Sequence, residues 1–217
     1  MKLTNTLIVA PTQLELEAIS NSIKKHECKT EVCGVGPSYT AMELTSAILR
    51  NRPELIILAG IGGLFKGFGK ELGDVAVALS ETFGDLGRSV QNSIEPIVIG
   101  GKPIETHFDL SNHLEALSLS LIFKELKIDS GHMVTVSATS PPEGRNLLGH
   151  QSRDYICENM EGAAAAQVCN RFGLLFLEIR GMSNYVGDQN LANWQIDLAL
   201  KNISKAMTPL LEHIRGI

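Results

Sequence analysis

The stretch Glu158-Asn159-Met160-Glu161-Gly162-Ala163-Ala164-Ala165-Ala166, followed downstream by the apolar run Leu174 to Met182 and the pair Ser183-Asn184, decides how this chain is read. Four consecutive alanines carry little bulk, so the helix predicted over Met160 to Phe172 suits close packing against a sheet. The run Leu174 to Met182 reads as a strand of such a sheet, with a polar pair at its end. Two acids bracket a methionine at the mouth of the helix. Helix and strand in succession are the unit from which α/β folds are built.

Working outward, the same alternation holds along the chain. Thr6 to Ala10 predicts a short strand, Gln13 to Lys25 a helix, Thr30 to Val35 a strand, Ser38 to Asn51 a helix behind Gly36-Pro37, and Glu54 to Ala59 a buried apolar strand. Gly60-Ile61-Gly62-Gly63 reads as a glycine-rich turn. Beyond it come strands at Asp74 to Thr82 and Met133 to Ala138, a helix over Leu110 to Leu126, and a closing amphipathic helix over Asn193 to His213 that Pro209 can kink. Gly84 to Glu105, with Pro96, Gly100-Gly101 and Pro103, predicts a loop-rich excursion. No repeat or linker divides the chain, so one α/β domain over residues 1–217 is expected, with a central mixed sheet and helices on both sides.

Composition excludes several classes of function. With 217 residues and 44% hydrophobic content the chain can bury a full core, and a net charge of -5 without basic runs argues against a nucleic-acid partner. The apolar run Leu7 to Pro11 is too short for a signal-peptide core, and no later stretch reaches the roughly 20 apolar residues of a membrane span. A soluble, cytoplasmic protein without a membrane partner is expected. Cys28, Cys33, Cys157 and Cys169 match no metal-ligand spacing and read as reduced, packed thiols, so neither a metal nor an organic cofactor is expected.

In alternating folds, ligand sites collect at the carboxyl ends of strands. Glu15, Gly60 to Gly63, Ser137 to Ser140 and Ser183-Asn184 fall there, and Glu158 with Met160-Glu161 stands at a helix entrance. Hydrolysis of an N-glycosidic bond passes through an oxocarbenium-like sugar; it needs a base for water, acceptors for the ribose hydroxyls and a partner for the departing purine. Glu15, Glu161 and Asn184 are suited to those three tasks. Each also has a plainer reading: Glu15 and Glu161 as first-turn carboxylates worth about 0.3 to 1 kcal/mol, Asn184 as a turn amide, Met160 as core filler. The glycines lack the endings of a P-loop and the spacing of a dinucleotide fold, which argues against a nucleoside triphosphate or NAD site.

Ala10 to Glu15, Ala59-Gly60-Ile61-Gly62-Gly63-Leu64, Leu72-Gly73-Asp74-Val75, Met160-Glu161-Gly162-Ala163-Ala164 and Glu178-Ile179-Arg180 with Ser183-Asn184 resemble the nucleoside phosphorylase and nucleosidase superfamily. Within it they are most similar to the futalosine hydrolase branch, which releases hypoxanthine in menaquinone biosynthesis. The likeness spans nearly the whole chain and is most specific from Glu178 to Trp194. It implies a phosphorylase/hydrolase-like three-layer fold, a small-molecule nucleoside substrate, no cofactor, and a homodimer or larger homo-oligomer. By position it implies that Glu15 activates water and that Met160 and Glu161 hold the ribose. The Gly60, Ile61 and Gly62 backbone then lies near sugar and water, Val136 to Ala138 flank the base, and Ser183 and Asn184 stand at the purine.

Asn184 occupies the place of an aspartate in the related methylthioadenosine nucleosidases. Its amide donors suit the N7 and O6 acceptors of hypoxanthine. The alternatives are a methylthioadenosine/adenosylhomocysteine nucleosidase, a purine nucleoside phosphorylase, or a nucleoside-binding protein without catalysis. Glu15, at the end of Pro11-Thr12-Gln13-Leu14-Glu15, would repel phosphate and orient water, which favours hydrolysis. The benzoate of futalosine calls for a cation, for which Lys102, His107, Arg145, Arg153 and Arg180 are candidates. Arg180 is expected rather as an ion-pair partner, and His107 and His113 as surface residues. Asp188-Gln189-Asn190 stands where the resemblance leads one to expect an arginine.

Overall fold

The structure, a computed structural model, describes residues 5–24, 26, 28–91, 93–143 and 154–216. In chain order the first half comprises β1 (Thr6–Ala10), α1 (Gln13–Lys24), β2 (Lys29–Val32), α2 (Pro37–Asn51), β3 (Leu55–Leu64) and β4 (Val75–Phe83). Four short strands follow, β5 (Arg88–Val90), β6 (Ser93–Glu95), β7 (Val98–Ile99) and β8 (Lys102–Pro103), then β9 (His107–Asp109), α3 (Ser111–Ala116), α4 (Ser120–Leu126) and β10 (Asp129–Thr135). The chain continues through β11 (Cys157–Asn159), α5 (Gly162–Phe172), β12 (Leu175–Tyr185) and α6 (Ile196–Gly216). No helix among the described residues is long and apolar enough to cross a membrane.

One mixed sheet organises these elements. β2, β1, β3 and β12 lie side by side and parallel, and β4 pairs with β12 in the opposite direction. β10 runs parallel to β4, and β9 pairs antiparallel with the far end of β4. β11 then pairs with β10 in parallel and with the end of β3 antiparallel, so the sheet curls until β3, β12, β4, β10 and β11 form a closed ring. β1 and β2 extend from that ring as an open wing.

Side chains alternate across a strand, and the core divides accordingly. Leu7, Val9, Ile56 and Leu58 pack with Leu44 and Ala47 of α2 and the four alanines of α5. Ile8, Leu55 and Ile57 pack on the opposite face with Ile19 and Ile23 of α1 and Ile203 and Leu210 of α6. Burial on both faces is why these strands appear in the sequence as unbroken apolar runs. The expected α/β architecture, a mixed sheet between helices, is present.

Four local expectations need correction. Gly60 to Gly63 do not turn; none has a positive φ, and β3 runs straight through them to Leu64. β12 likewise runs past Met182, so Ser183 and Asn184 are strand residues. The helix predicted over Leu110 to Leu126 breaks into α3 and α4, because Ser118 adopts φ 52 while Leu117 and Leu119 are buried beside it. The excursion between Gly84 and Glu105 is built from two antiparallel ribbons, β5 with β6 and β7 with β8. Pro209 lies inside α6, which continues to Gly216.

Candidate functional site

A cavity of about 270 Å³ opens where the carboxyl-terminal ends of β3, β11 and β12 converge. That is near the lower end of the range for small-molecule sites, about 300 to 1,000 Å³. Its wall is formed by Thr12 and Glu15 from the β1–α1 junction, Ile61 to Gly63, Glu158 to Glu161, and the Ser183-Asn184 pair, completed by Val35, Val136, Thr139, Trp194 and Ile196. None of the described lining residues is Lys, Arg or His.

Thr12-Gln13-Leu14-Glu15 has the spacing of a helix capping box, and the Thr12 hydroxyl accepts from the Glu15 N–H at 3.3 Å. The carboxylate has other work. Its Oε2 accepts from the Thr12 hydroxyl at 2.5 Å and its Oε1 from the Ile61 N–H at 3.0 Å, and Glu15 is 5% exposed. Burial raises its pKa, opposed by the Thr12 hydroxyl, the Ile61 amide and the Arg180 charge.

The glycines of β3 serve close approach. A Cβ on Gly60 would stand 2.8 Å from Arg180 Nη1 and 2.9 Å from Glu15 Oε1, and one on Gly62 would run into Cys157 Sγ. Gly60 thus leaves room behind the wall for both the carboxylate and the guanidinium and does not itself line the cavity, whereas Ile61 and Gly62 do.

At the β11–α5 junction, the side chain that caps the helix is that of Asn159. Its Oδ1 accepts from the N–H groups of Glu161 at 2.9 Å and Gly162 at 2.7 Å. This leaves the Glu161 carboxylate at the cavity, with Oε1 accepting from the Gly36 N–H at 3.1 Å and Oε2 from Arg180 Nη1 at 3.1 Å. Met160 is half-buried on the same wall. Glu158, a β11 residue and not a helix-entrance one, is held by Ser140, whose N–H and hydroxyl both donate to its carboxylate.

Across the cavity, the pairing of β12 with β3 slips by one residue between Met182 and Asn184. This bulge re-aims the strand, so adjacent residues Ser183 and Asn184 both line the site. The Ser183 hydroxyl donates to Asn184 Oδ1 at 2.8 Å, and Asn184 Nδ2 donates to the Tyr185 carbonyl at 3.1 Å. One amide N–H is left to meet a ligand.

Of the predicted site residues, Glu15, Ile61, Gly62, Val136, Met160, Glu161, Ser183 and Asn184 line this one cavity; Gly60 and Ala138 do not. Thr139, the next residue, does line it. Val35, Trp194 and Ile196 carried no chemical signal that would have marked them. Among the candidate cations, Arg180 is fully buried and ion-paired as expected, with Glu178 and Glu161. Lys102 and His107 are exposed and away from the cavity. His113 is half-buried, and its Nδ1 accepts from the Phe176 N–H at 3.2 Å, so it ties α3 to β12. Arg145 and Arg153 lie outside the described residues.

Asp188-Gln189-Asn190 braces the site. The Asp188 carbonyl accepts from Trp194 Nε1 at 3.1 Å, and Gln189 Nε2 donates to the Ser140 carbonyl at 2.9 Å. The four cysteines are free thiols. Among the described residues no group of three or more His, Cys, Asp or Glu is placed to hold a metal ion.

Residues 6–215 match the phosphorylase superfamily. A futalosine hydrolase of Streptomyces coelicolor is 32% identical over 189 residues, covering 82% of this chain and 77% of that one. A futalosine hydrolase of Thermus thermophilus is 29% identical over 189 residues, covering 84% of this chain and 80% of that one. In fold, the chain is similar to the Helicobacter pylori 5'-methylthioadenosine/S-adenosylhomocysteine nucleosidase crystallised with butyl-thio-DADMe-Immucillin-A, at TM-score 0.77, 16% identity and coverage of 98% of this chain and 99% of that one. A match this long, together with relatives identical to it at up to 32% of the aligned residues, means that the chain belongs to the phosphorylase superfamily and groups there with the futalosine hydrolases.

Proposed function

We propose that this protein hydrolyses the N-glycosidic bond of futalosine, releasing hypoxanthine and dehypoxanthinylfutalosine, a step of menaquinone biosynthesis. One observation carries the reading: a single cavity joins three carboxylates, Glu15, Glu158 and Glu161, to the amide of Asn184, with no Lys, Arg or His among its described lining residues. Negative charge around the sugar favours a cationic, oxocarbenium-like transition state. The same surroundings disfavour phosphate as the attacking group, and so favour water.

In this reaction Glu15, fixed by Thr12 and Ile61, accepts the proton of the attacking water. Glu161 accepts hydrogen bonds from the ribose hydroxyls, with Met160 in apolar contact below the sugar and the Ile61-Gly62 backbone beside it. Val136 borders the base. As the C1'–N9 bond breaks its electron pair goes to the purine, whose acceptor takes a hydrogen bond from the remaining Asn184 N–H, with Ser183 holding the amide in that orientation; the anion then takes up a proton from solvent, to which Glu15 returns the one it accepted. Residues 1–217 act as one catalytic domain. We place it in the cytoplasm and as a homodimer or larger homo-oligomer; the exposed Tyr39, Met42 and Leu49 of α2 support the self-association.

Asn184→Asp tests the assignment of the base. A carboxylate offers only acceptors to N7 and O6, and an unmatched buried polar pair costs about 1 to 3 kcal/mol. The expected result is a fall of about 10- to 100-fold in kcat/KM for futalosine, with a gain for methylthioadenosine. Unchanged preference between the two nucleosides would remove Asn184 from base recognition.

A further inference from the structure

Behind the cavity wall, β4, β11, β12 and α5 enclose acids that the proposed chemistry does not use. Glu81 of β4 and Glu178 of β12 are both fully buried. They meet at the start of α5, where a Cβ on Gly162 would collide with Glu81 Oε1 and with both carboxylate oxygens of Glu178. Glu178 Oε1 accepts from Arg180 Nε at 2.8 Å, while Glu178 Oε2 has no hydrogen-bond partner among the described residues. Glu81 Oε1 accepts from Asn159 Nδ2 at 2.5 Å and Oε2 from the Thr135 hydroxyl at 2.8 Å. From behind, the guanidinium holds the cavity wall: Nη1 donates to Glu161 Oε2 and to the Ile61 carbonyl, each at 3.1 Å.

Charge balance limits the state of this cluster. Four buried carboxyl groups, Glu15, Glu81, Glu161 and Glu178, surround one cation, Arg180, with Cys33 and Cys157 as the neighbouring thiols and Glu158 next along β11. Two buried carboxylates in contact do not both ionise. Burial and the Glu178 charge hold the Glu81 carboxyl well above the usual range. A proton on Glu81 also supplies the donor that Glu178 Oε2 otherwise lacks.

We propose that Glu81 and Glu178 act as one carboxyl pair carrying a single proton, donated by Glu81 to Glu178 Oε2. Its remaining negative charge is a positioning element for the reaction: it clamps Arg180, which fixes Glu161 and the Ile61 backbone on the cavity wall. Glu178 touches no substrate and acts through Arg180.

The test compares two neutral isosteres and reads the proton directly. Glu81→Gln imitates the protonated acid, so kcat/KM should stay within about threefold of wild type. Glu178→Gln removes the clamping charge and should lower kcat/KM by about 100-fold, the scale of a small misplacement of reacting groups. Infrared spectra in D2O near neutral pH should show a protonated-carboxyl band in wild type that Glu81→Gln lacks. The pair is overturned if wild type has no such band, if Glu81→Gln is as damaging as Glu178→Gln, or if Glu178→Gln stays within about threefold of wild type. Should Glu178→Gln not fold, Glu81→Gln and the band still decide. The kinetic comparison rests on the hydrolase reading; if wild type cleaves no nucleoside that reading falls, and the infrared comparison still tests the pair.

Discussion

The Glu15 carboxylate sits between opposing influences, since burial favours its neutral form while Thr12, Ile61 and Arg180 favour the charged one, and burial prevails. A base works when ionised, so activity should be lost as pH falls through this raised pKa. The acid limb of kcat/KM is therefore predicted above the value of about 4.3 for a free glutamate, and Glu15→Gln should abolish turnover while leaving the fold intact. A limb at or below the free value, or near-normal turnover by Glu15→Gln, would remove Glu15 from the mechanism. At this scale the sequence is informative about chemistry and silent about partners. Glu15, Glu161 and Asn184 are legible as residue types suited to their tasks. That Asn159 caps α5 in place of Glu161, or that Ser183 fixes the Asn184 amide, depends on side-chain directions that spacing does not encode.

Among the elements, α5 is placed by what its first residue lacks. Gly162 stands against Glu81 Oε1 and both oxygens of Glu178, so its hydrogen is what allows the helix to reach the carboxyl pair. On helix propensity alone Gly162→Ala would gain up to about 1 kcal/mol. Overpacking costs about 1 to 3 kcal/mol, and here it falls on buried acids with little room to yield. The thermal midpoint of Gly162→Ala is predicted to drop; a rise would show slack at the α5 start and argue against the close carboxyl contact. The same ambiguity of glycine explains why Gly60 to Gly63 read as a turn, since tight turns and close strand packing share one composition. The Ser183 bulge is hidden for a related reason: one inserted residue leaves the apolar run intact. In Leu110 to Leu126 helical spacing persists on both sides of Ser118, so the break leaves no mark in the pattern.

For the whole molecule, alternating apolar and amphipathic segments make the α/β sheet and its helix layers legible, because the central strands β1, β3, β4 and β12 are buried on both faces. The closure of the sheet is not legible. Cys157–Asn159 is a three-residue strand, and its pairing with both β10 and β3 is what brings Glu158 and Glu161 opposite Asn184. The cavity beside this closure draws residues from distant segments of the chain, and its described lining holds carboxylates and no basic side chain. The most direct test is chromatography of the products from wild-type protein incubated separately with futalosine, methylthioadenosine and inosine, with and without phosphate. Hypoxanthine from futalosine at a rate independent of phosphate is the predicted result; adenine from methylthioadenosine with futalosine left intact, or release only when phosphate is present, would contradict it.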